Sequence, residues 1–270
     1  GAAEVAAAAR LRAIANVGVG YDNLDIAALD AAGILATNTP GVLDETTADF
    51  AWALLLAAAR RVGEAERWLR AGAWRQWAFD RLLGADLHGT TLGILGMGRI
   101  GQAIARRAAG FRMQVGYHNR TRLPGAIEQA CAARWMPFDD LFAQADHVVL
   151  ALPYSPAAHH IVDAGVLARM KPGAVLVNIA RGGLVDDAAL AQALRAGRLG
   201  AAGLDVYEGE PDLHPGLLDC ANAVLTPHIA SASTRTRRAM VSLAIDNLLA
   251  ALGIGERAGQ PPNRIVVPSR

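Results

Sequence analysis

Apolar positions in this chain come in short continuous runs separated by stretches of helical periodicity. Leu92, Ile94 and Leu95 form one such run, Gly96, Gly98 and Gly101 follow it, and Ile100, Ala103 and Ile104 then recur at helical intervals. This reads as a buried parallel strand, a tight turn and a helix start. Further strands are expected at 113–117, 146–151, 174–179, 201–205 and 223–226, with helical segments between them. One of those helices is well marked: Asp186 and Asp187 open it, Leu190 and Leu194 give it an apolar face, and Gly197 stops it. Six short strands separated by helices predict an α/β fold with a doubly wound parallel sheet.

Upstream lies a second, smaller α/β layer. Residues 1–10 read as the end of a helix, 11–17 as a strand, 24–32 as a helix closed by Gly33, and 34–37 as a short strand. Asn38-Thr39-Pro40-Gly41 breaks the pattern. From about Asp44 one long helix is expected to run through Phe50, Leu54, Leu55 and Ala58 to near Gly72, as a connector between lobes or a surface against a second subunit. An amphipathic helix is expected over 231–252, with Met240, Leu243, Ala244 and Leu248 on one side, and the tail 259–263 reads as unstructured. The expected division is 1–72 with 231–270 as the smaller domain and 73–230 as the larger.

Bulk properties exclude several classes. The net charge of +1 and the absence of any Lys or Arg run beyond two argue against a nucleic-acid partner. Cys131 and Cys220 stand far apart, so neither a disulfide framework nor a zinc site is indicated, and a reducing cytoplasm fits. The longest apolar run, 50–59, is too short to span a bilayer, so no membrane partner is expected. The first residues lack a basic segment and a long apolar core, which predicts no secretory signal. His88, His118, His147, His159, His160 and His214 lack ligand spacing and read as structural or exposed; no metal is expected.

The three glycines fall in G-x-G-x-x-G spacing. Gly96 permits the turn, Gly98 lets main chain approach a pyrophosphate, and Gly101 allows close packing of helix on strand, with bare N–H groups and the helix dipole aimed at an anion. Glycines are frequent here, 28 of 270 residues, and Gly18-Val19-Gly20 shows how readily half a match arises. Context strengthens the reading: the next strand ends at His118-Asn119-Arg120-Thr121-Arg122, where the residue that meets the adenosine ribose belongs. An NAD site usually places an acid there. Asn119 stands in its place, no acid occurs over 113–127, and Arg120 and Arg122 follow. An arginine makes charge-assisted bonds to a 2′-phosphate worth about 1.5 to 3 kcal/mol each, so the loop predicts NADP(H) in preference to NAD(H), with NAD(H) still possible. The alternative is a pair of solvated arginines.

In open α/β sheets ligands sit outside the carboxyl ends of strands. Arg181, Glu210 and His228 each follow an expected strand, and Asp205 ends one. A guanidinium, a carboxylate and an imidazole on one rim can handle a carbonyl bearing a neighbouring carboxylate, although any one of them alone reads as a solvated cap.

At these residues the chain resembles the D-isomer-specific 2-hydroxyacid dehydrogenases. The resemblance runs from Asn16-Val17-Gly18-Val19-Gly20-Tyr21-Asp22-Asn23 through the glycine turn, Asn178-Ile179-Ala180-Arg181-Gly182-Gly183 and Gly203-Leu204-Asp205-Val206-Tyr207-Glu208-Gly209-Glu210-Pro211 to Pro227-His228-Ile229. Asn119-Arg120-Thr121 is most similar to the NADP-using glyoxylate, hydroxypyruvate and 2-ketogluconate reductase branch.

The resemblance implies a Rossmann-type domain and a smaller, flavodoxin-like domain truncated at its N-terminus. Strands expected to precede that at 11–17 are absent, which leaves either a fragment or a partial sheet with an exposed edge. It implies that His228 protonates the carbonyl oxygen, Glu210 orients the imidazole and favours its charged form, and Arg181 holds the substrate carboxylate with help from N–H groups near Val19 and Gly20. Gly96, Gly98, Arg99, Ile100 and Gly101 would meet the pyrophosphate, Asn119, Arg120 and Thr121 the adenosine end, and Leu152, Pro153, Ile179, Ala180, Asp205 and Thr47 the rest of the cofactor. Trp77, with Trp74 as a second candidate, would reach into a partner's substrate pocket in a homodimer, with plain interface packing as the alternative. The implied reaction is hydride transfer from NADPH to C2 of a small 2-oxo acid, giving the D-2-hydroxy acid. A 3-phosphoglycerate dehydrogenase-like enzyme and a non-catalytic NAD(P)-sensing protein are the competing readings.

Overall fold

The computed structural model describes residues 1–266, which divide into two compact units: Gly1–Thr46 with the segment from Ser231 onward, and Thr47–Ala230.

In the smaller unit, β1 (Ala13–Ala15) and β2 (Leu35–Thr37) pair in parallel. The helix Ile26–Ala31 between them starts where the Asp25 carboxylate accepts the Ala28 N–H at 3.0 Å. The helix Thr234–Ala251, capped by Ser233, buries Met240, Ala244, Asn247 and Ala250, the i, i+4, i+7 stripe expected of an amphipathic segment. The tail departs from expectation. Asn263 accepts the Asn38 N–H, Arg264 bridges Thr37 in antiparallel sense, and the Ile265 N–H donates to the Ala36 carbonyl at 2.8 Å. The edge of β2 is thereby paired, and the Ile265 side chain joins Leu29, Ile34 and Ala36 in the unit's core.

The larger unit holds one parallel sheet of β3 (Thr91–Leu95), β4 (Gln114–His118), β5 (Ala133–Trp135), β6 (His147–Leu150), β7 (Val175–Asn178), β8 (Ala201–Leu204) and β9 (Ala223–Leu225), in the order β5-β4-β3-β6-β7-β8-β9. The doubly wound sheet is as expected, with one strand more. Ala133-Arg134-Trp135 escapes a search for apolar runs because an edge strand three residues long needs none. The chain moves outward from β3 to β5 and returns on the other side at β6, so the switch point lies between β3 and β6, where ligands bind in such sheets. β6, β7 and β8 are buried along their whole length.

The long helix is two. Asp44–Ala59 ends where the Ala59 carbonyl accepts the Ala85 N–H at 2.8 Å, Arg61 takes a left-handed conformation (φ 54°), and Val62–Arg70 resumes. Leu54 and Leu55 are buried against the sheet, and a Cβ at Gly203 would lie 3.0 Å from that of Leu54. Residues 47–72 therefore group with the larger unit rather than the smaller, which moves the boundary from after residue 72 to after Thr46. Among the described residues no helix is long and apolar enough to cross a membrane.

Candidate active site

The glycine turn after β3 is a close-packed main-chain structure. Gly96 has φ 101°, and a Cβ there would fall 2.5 Å from the Leu152 nitrogen; one at Gly101 would fall 2.2 Å from the Gly96 carbonyl oxygen. A Cβ at Gly98 would meet open space. The helix Arg99–Ala108 begins there with no side-chain cap, so its first N–H groups remain available to an oxyanion. Two main-chain approaches that only glycine allows, and one opening beside an uncapped helix start, fit the diphosphate of a dinucleotide.

Asn119 lies at the end of β4 and belongs to this turn: its Oδ1 accepts the Met97 N–H at 2.7 Å, and its carbonyl accepts the Trp135 indole N–H at 3.1 Å. The arginines that follow are not equivalent. Arg122 is paired in bidentate fashion with Glu128 at 2.8 and 2.9 Å, and the Tyr117 hydroxyl donates to the same carboxylate at 2.8 Å. Arg122, then Tyr117, hold the Glu128 carboxyl at about 2, well below its ordinary value. Arg120 and Thr121 are exposed. The expected pair of phosphate-reading arginines is thus reduced to Arg120, because Glu128 lies one residue beyond the acid-free stretch.

Three loops at the carboxyl ends of β7, β8 and β9 carry the candidate catalytic groups. His228 Nδ1 lies 2.8 Å from Glu210 Oε2, and Glu210 Oε1 accepts the Tyr207 N–H at 2.9 Å. With the carboxylate ionised, Nδ1 donates to it and Nε2 remains for a substrate oxygen. His228 has φ 52°, and its N–H donates to the carbonyls of Asp205 (2.9 Å) and Thr226 (3.1 Å). Asp205, fully buried, accepts from the Thr226 hydroxyl at 2.7 Å and from the N–H groups of Ile229 and Ala230 at 2.8 and 2.7 Å. Most of its hydrogen-bonding capacity therefore fixes the His228 loop, a positioning role that strand-end logic does not disclose.

Arg181 opens a short 3-10 turn, Gly182–Leu184. Asn178, also buried, accepts the Ala180 N–H at 3.0 Å and donates to the Arg181 carbonyl at 2.9 Å, while an Arg181 guanidinium N–H reaches the Ala180 carbonyl at 2.7 Å. A Cβ at Gly182 would lie 1.7 Å from the Tyr207 carbonyl carbon, so the Arg181 and Glu210 loops touch main chain to main chain. Ile179 and Ala180 are nearly buried, Leu152 is half-buried and Pro153 exposed. Thr47 is buried near the start of its helix. Trp77 is 74 % exposed, as are much of Trp74 and Phe79, in the segment after the Val62–Arg70 helix.

In the smaller unit the loop after β1 has an ordered backbone. Asn16 donates to the carbonyls of Gly18 (3.3 Å) and Gly20 (2.7 Å), the Thr39 N–H to Gly18, and Asn38 to the carbonyl of Val19 at 2.8 Å. In a trans peptide the N–H points away from the preceding carbonyl. Holding the Gly18 and Val19 carbonyls on one side turns the N–H groups of Val19 and Gly20 to the other, an arrangement suited to an anion.

Residues 52–230 match the family described as "D-isomer specific 2-hydroxyacid dehydrogenase, NAD binding domain". The chain belongs to this family. It is 49 % identical over 248 residues to a glyoxylate reductase of Thermococcus onnurineus, an alignment covering 90 % of this chain and 74 % of that protein. Among solved structures it is similar to the TT0316 protein of Thermus thermophilus (46 % identity, TM-score 0.89, 98 % of this chain and 82 % of that one). It is also similar to the NADPH-dependent glyoxylate/hydroxypyruvate reductase of Sinorhizobium meliloti in complex with NADP and malonate (41 %, TM-score 0.85, 96 % and 81 %). The larger unit is accordingly the NAD(P)-binding domain of a dehydrogenase.

Proposed function

We propose that this dehydrogenase reduces a small 2-oxo acid of the glyoxylate, hydroxypyruvate or 2-ketogluconate type, using NADPH, to the D-2-hydroxy acid. The observation that carries the reading is the His228–Glu210 contact of 2.8 Å on a loop pinned by buried Asp205. When bound, NADPH supplies the hydride that reaches C2. His228, held through Nδ1 by Glu210, gives the Nε2 proton to the carbonyl oxygen, a contribution typically worth about 10² to 10⁴ in rate. Arg181 binds the substrate carboxylate and polarises the carbonyl. Names borne by relatives support the substrate class: glyoxylate reductase in Thermococcus onnurineus and glyoxylate/hydroxypyruvate reductase in Sinorhizobium meliloti.

The NADPH preference rests on Arg120 and the absence of a ribose-binding acid at Asn119; the NADPH dependence of the Sinorhizobium meliloti relative accords with it. The exposed aromatic segment at Trp74, Trp77 and Phe79 is the surface for a second copy, with Trp77 as a wall of the partner's substrate pocket. Buried, unpaired Cys131 and Cys220 accord with a reducing cytoplasm. The test is His228→Ala assayed by NADPH oxidation with a panel of 2-oxo acids. Turnover should fall by about 10² or more while NADPH binding, followed by its fluorescence, stays near wild type. A variant keeping most of its kcat removes His228 from the proton-transfer role.

A further inference from the structure

A second cluster of ligand-type side chains lies apart from the His228–Glu210 pair, on the loops that follow β6 and β8. His160 Nε2 is 2.8 Å from Glu208 Oε2, and His159 Nε2 is 3.7 Å from Glu208 Oε1, so two imidazoles present the same ring nitrogen to opposite oxygens of one carboxylate. The two rings stack at 3.9 Å with 21° between their planes, and one ligand atom from each of the three residues lies within 4.8 Å of the others. Adjacency in sequence hides this arrangement, because neighbouring histidines do not have the spacing of a metal motif on a helix or strand. His160 presents its ring from a left-handed conformation (φ 49°), its N–H held by the Gly183 carbonyl at 2.9 Å.

We propose that His159, His160 and Glu208 form a binding site for a zinc-like divalent transition-metal ion. Two imidazole nitrogens with one carboxylate oxygen, and a fourth position left to water, is a donor set that suits Zn²⁺ and the neighbouring first-row ions rather than Mg²⁺ or Ca²⁺, which prefer oxygen. Ligand atoms about 2.0 to 2.1 Å from a tetrahedral ion stand roughly 3.3 Å apart. The observed 2.8 and 3.7 Å run to different oxygens of Glu208, so a rotation of that carboxylate is needed to offer one oxygen to an ion held by both imidazoles. The supporting contacts are those a metal site needs. The Tyr154 hydroxyl lies 3.3 Å from His159 Nδ1, which orients that ring with Nε2 towards the ion. The Glu208 N–H is anchored on Asp187 Oδ2 at 3.2 Å. All three side chains are partly open to solvent, which gives an ion a path in. An ion held there would cross-link the loop after β6 to the loop that carries Glu210.

The experiment is calorimetric titration of chelator-treated protein with Zn²⁺, together with melting curves with and without the metal. Wild type should take up Zn²⁺ at micromolar concentration and melt higher in its presence. His159→Ala and His160→Asn, the latter chosen because Asn tolerates the left-handed backbone, should each bind about 10- to 100-fold more weakly. Both should keep the metal-free melting temperature and metal-free turnover of wild type, which separates a lost ligand from a damaged fold. Wild type that takes up no Zn²⁺ at micromolar concentration, or variants that bind as tightly as wild type, overturns the proposal.

Discussion

Asp187 offers the sharpest physical test of how the active-site loops are held. It is the first residue of the helix Asp187–Arg195, is 5 % exposed, and accepts the Glu208 N–H at 3.2 Å, two residues before Glu210. Burial pushes its carboxyl up from 3.8 to about 6, the Glu208 N–H working against that rise and the Glu208 and Asp186 charges adding to it. A folded-state value above the unfolded one means the native protein binds this proton more tightly. Stability from this group is therefore present at low pH, is lost as pH rises through the window from 3.8 to about 6, and stays lost above it. A shift of about two units at 1.36 kcal/mol per unit corresponds to a cost of about 3 kcal/mol at neutral pH. Asp187→Asn keeps an acceptor for Glu208 and removes the charge. Its amide donors add a cost that does not depend on pH, so the comparison between two pH values isolates the ionisation. Measured by urea unfolding, the stability of the variant relative to wild type should improve by about 2 kcal/mol between about pH 4.5 and about pH 8. A difference that stays flat over that range refutes the burial argument, and with it the view that the fold accepts a buried charge in order to anchor this loop.

The remaining predictions concern the glycine turn, the Asp205 anchor and the loop after β4. Gly101→Ala drives a Cβ to within 2.2 Å of the Gly96 carbonyl and should destabilise the protein by about 1 to 3 kcal/mol with loss of NADPH binding, read by thermal melting and nucleotide fluorescence. Gly98→Ala, whose Cβ meets nothing within the chain, should melt like wild type yet bind NADPH more weakly; unchanged affinity would remove the pyrophosphate from that spot. Asp205→Ala strips three hydrogen bonds from a charged acceptor, each worth about 1.5 to 3 kcal/mol, and should lower both the unfolding midpoint and kcat. Arg120→Asp should move the kcat/KM preference from NADPH towards NADH, whereas Arg122→Ala, which breaks a contact to Glu128, should leave that preference nearly unchanged; a wild type that already prefers NADH sinks the reading of this loop.

What the sequence disclosed, and what it withheld, follows the range of the interactions involved. The glycine turn is legible because its three glycines fall within six residues, and Arg181, Glu210 and His228 stand out as candidates because strand ends in a parallel sheet are where polar residues find ligands. The break at Arg61 is not, since it depends on the Ala59 carbonyl being taken by the N–H of Ala85, more than twenty residues away. The pairing of Ile265 with Ala36 is likewise settled by a partner far off in sequence, whereas Arg122 is captured by Glu128 just past the acid-free stretch. Asn178 and Asp205 stood in recognisable motifs, but their work as anchors consists of hydrogen bonds to loop atoms that only the fold brings near.

Those anchors explain why the chemistry can be held on loops at all. Loops ordinarily carry low local stability, yet the proton transfer proposed for His228 demands that its ring be held within hydrogen-bond reach of its partners. Here the Arg181 loop is closed by Asn178, the Glu210 loop by Asp187 and by its main-chain contact with Gly182, and the His228 loop by Asp205. Each anchor is buried, and each hydrogen bond it makes runs to main chain or, at Thr226, to a single hydroxyl. The candidate catalytic side chains are consequently positioned by buried polar groups behind them, Asn178, Asp187 and Asp205.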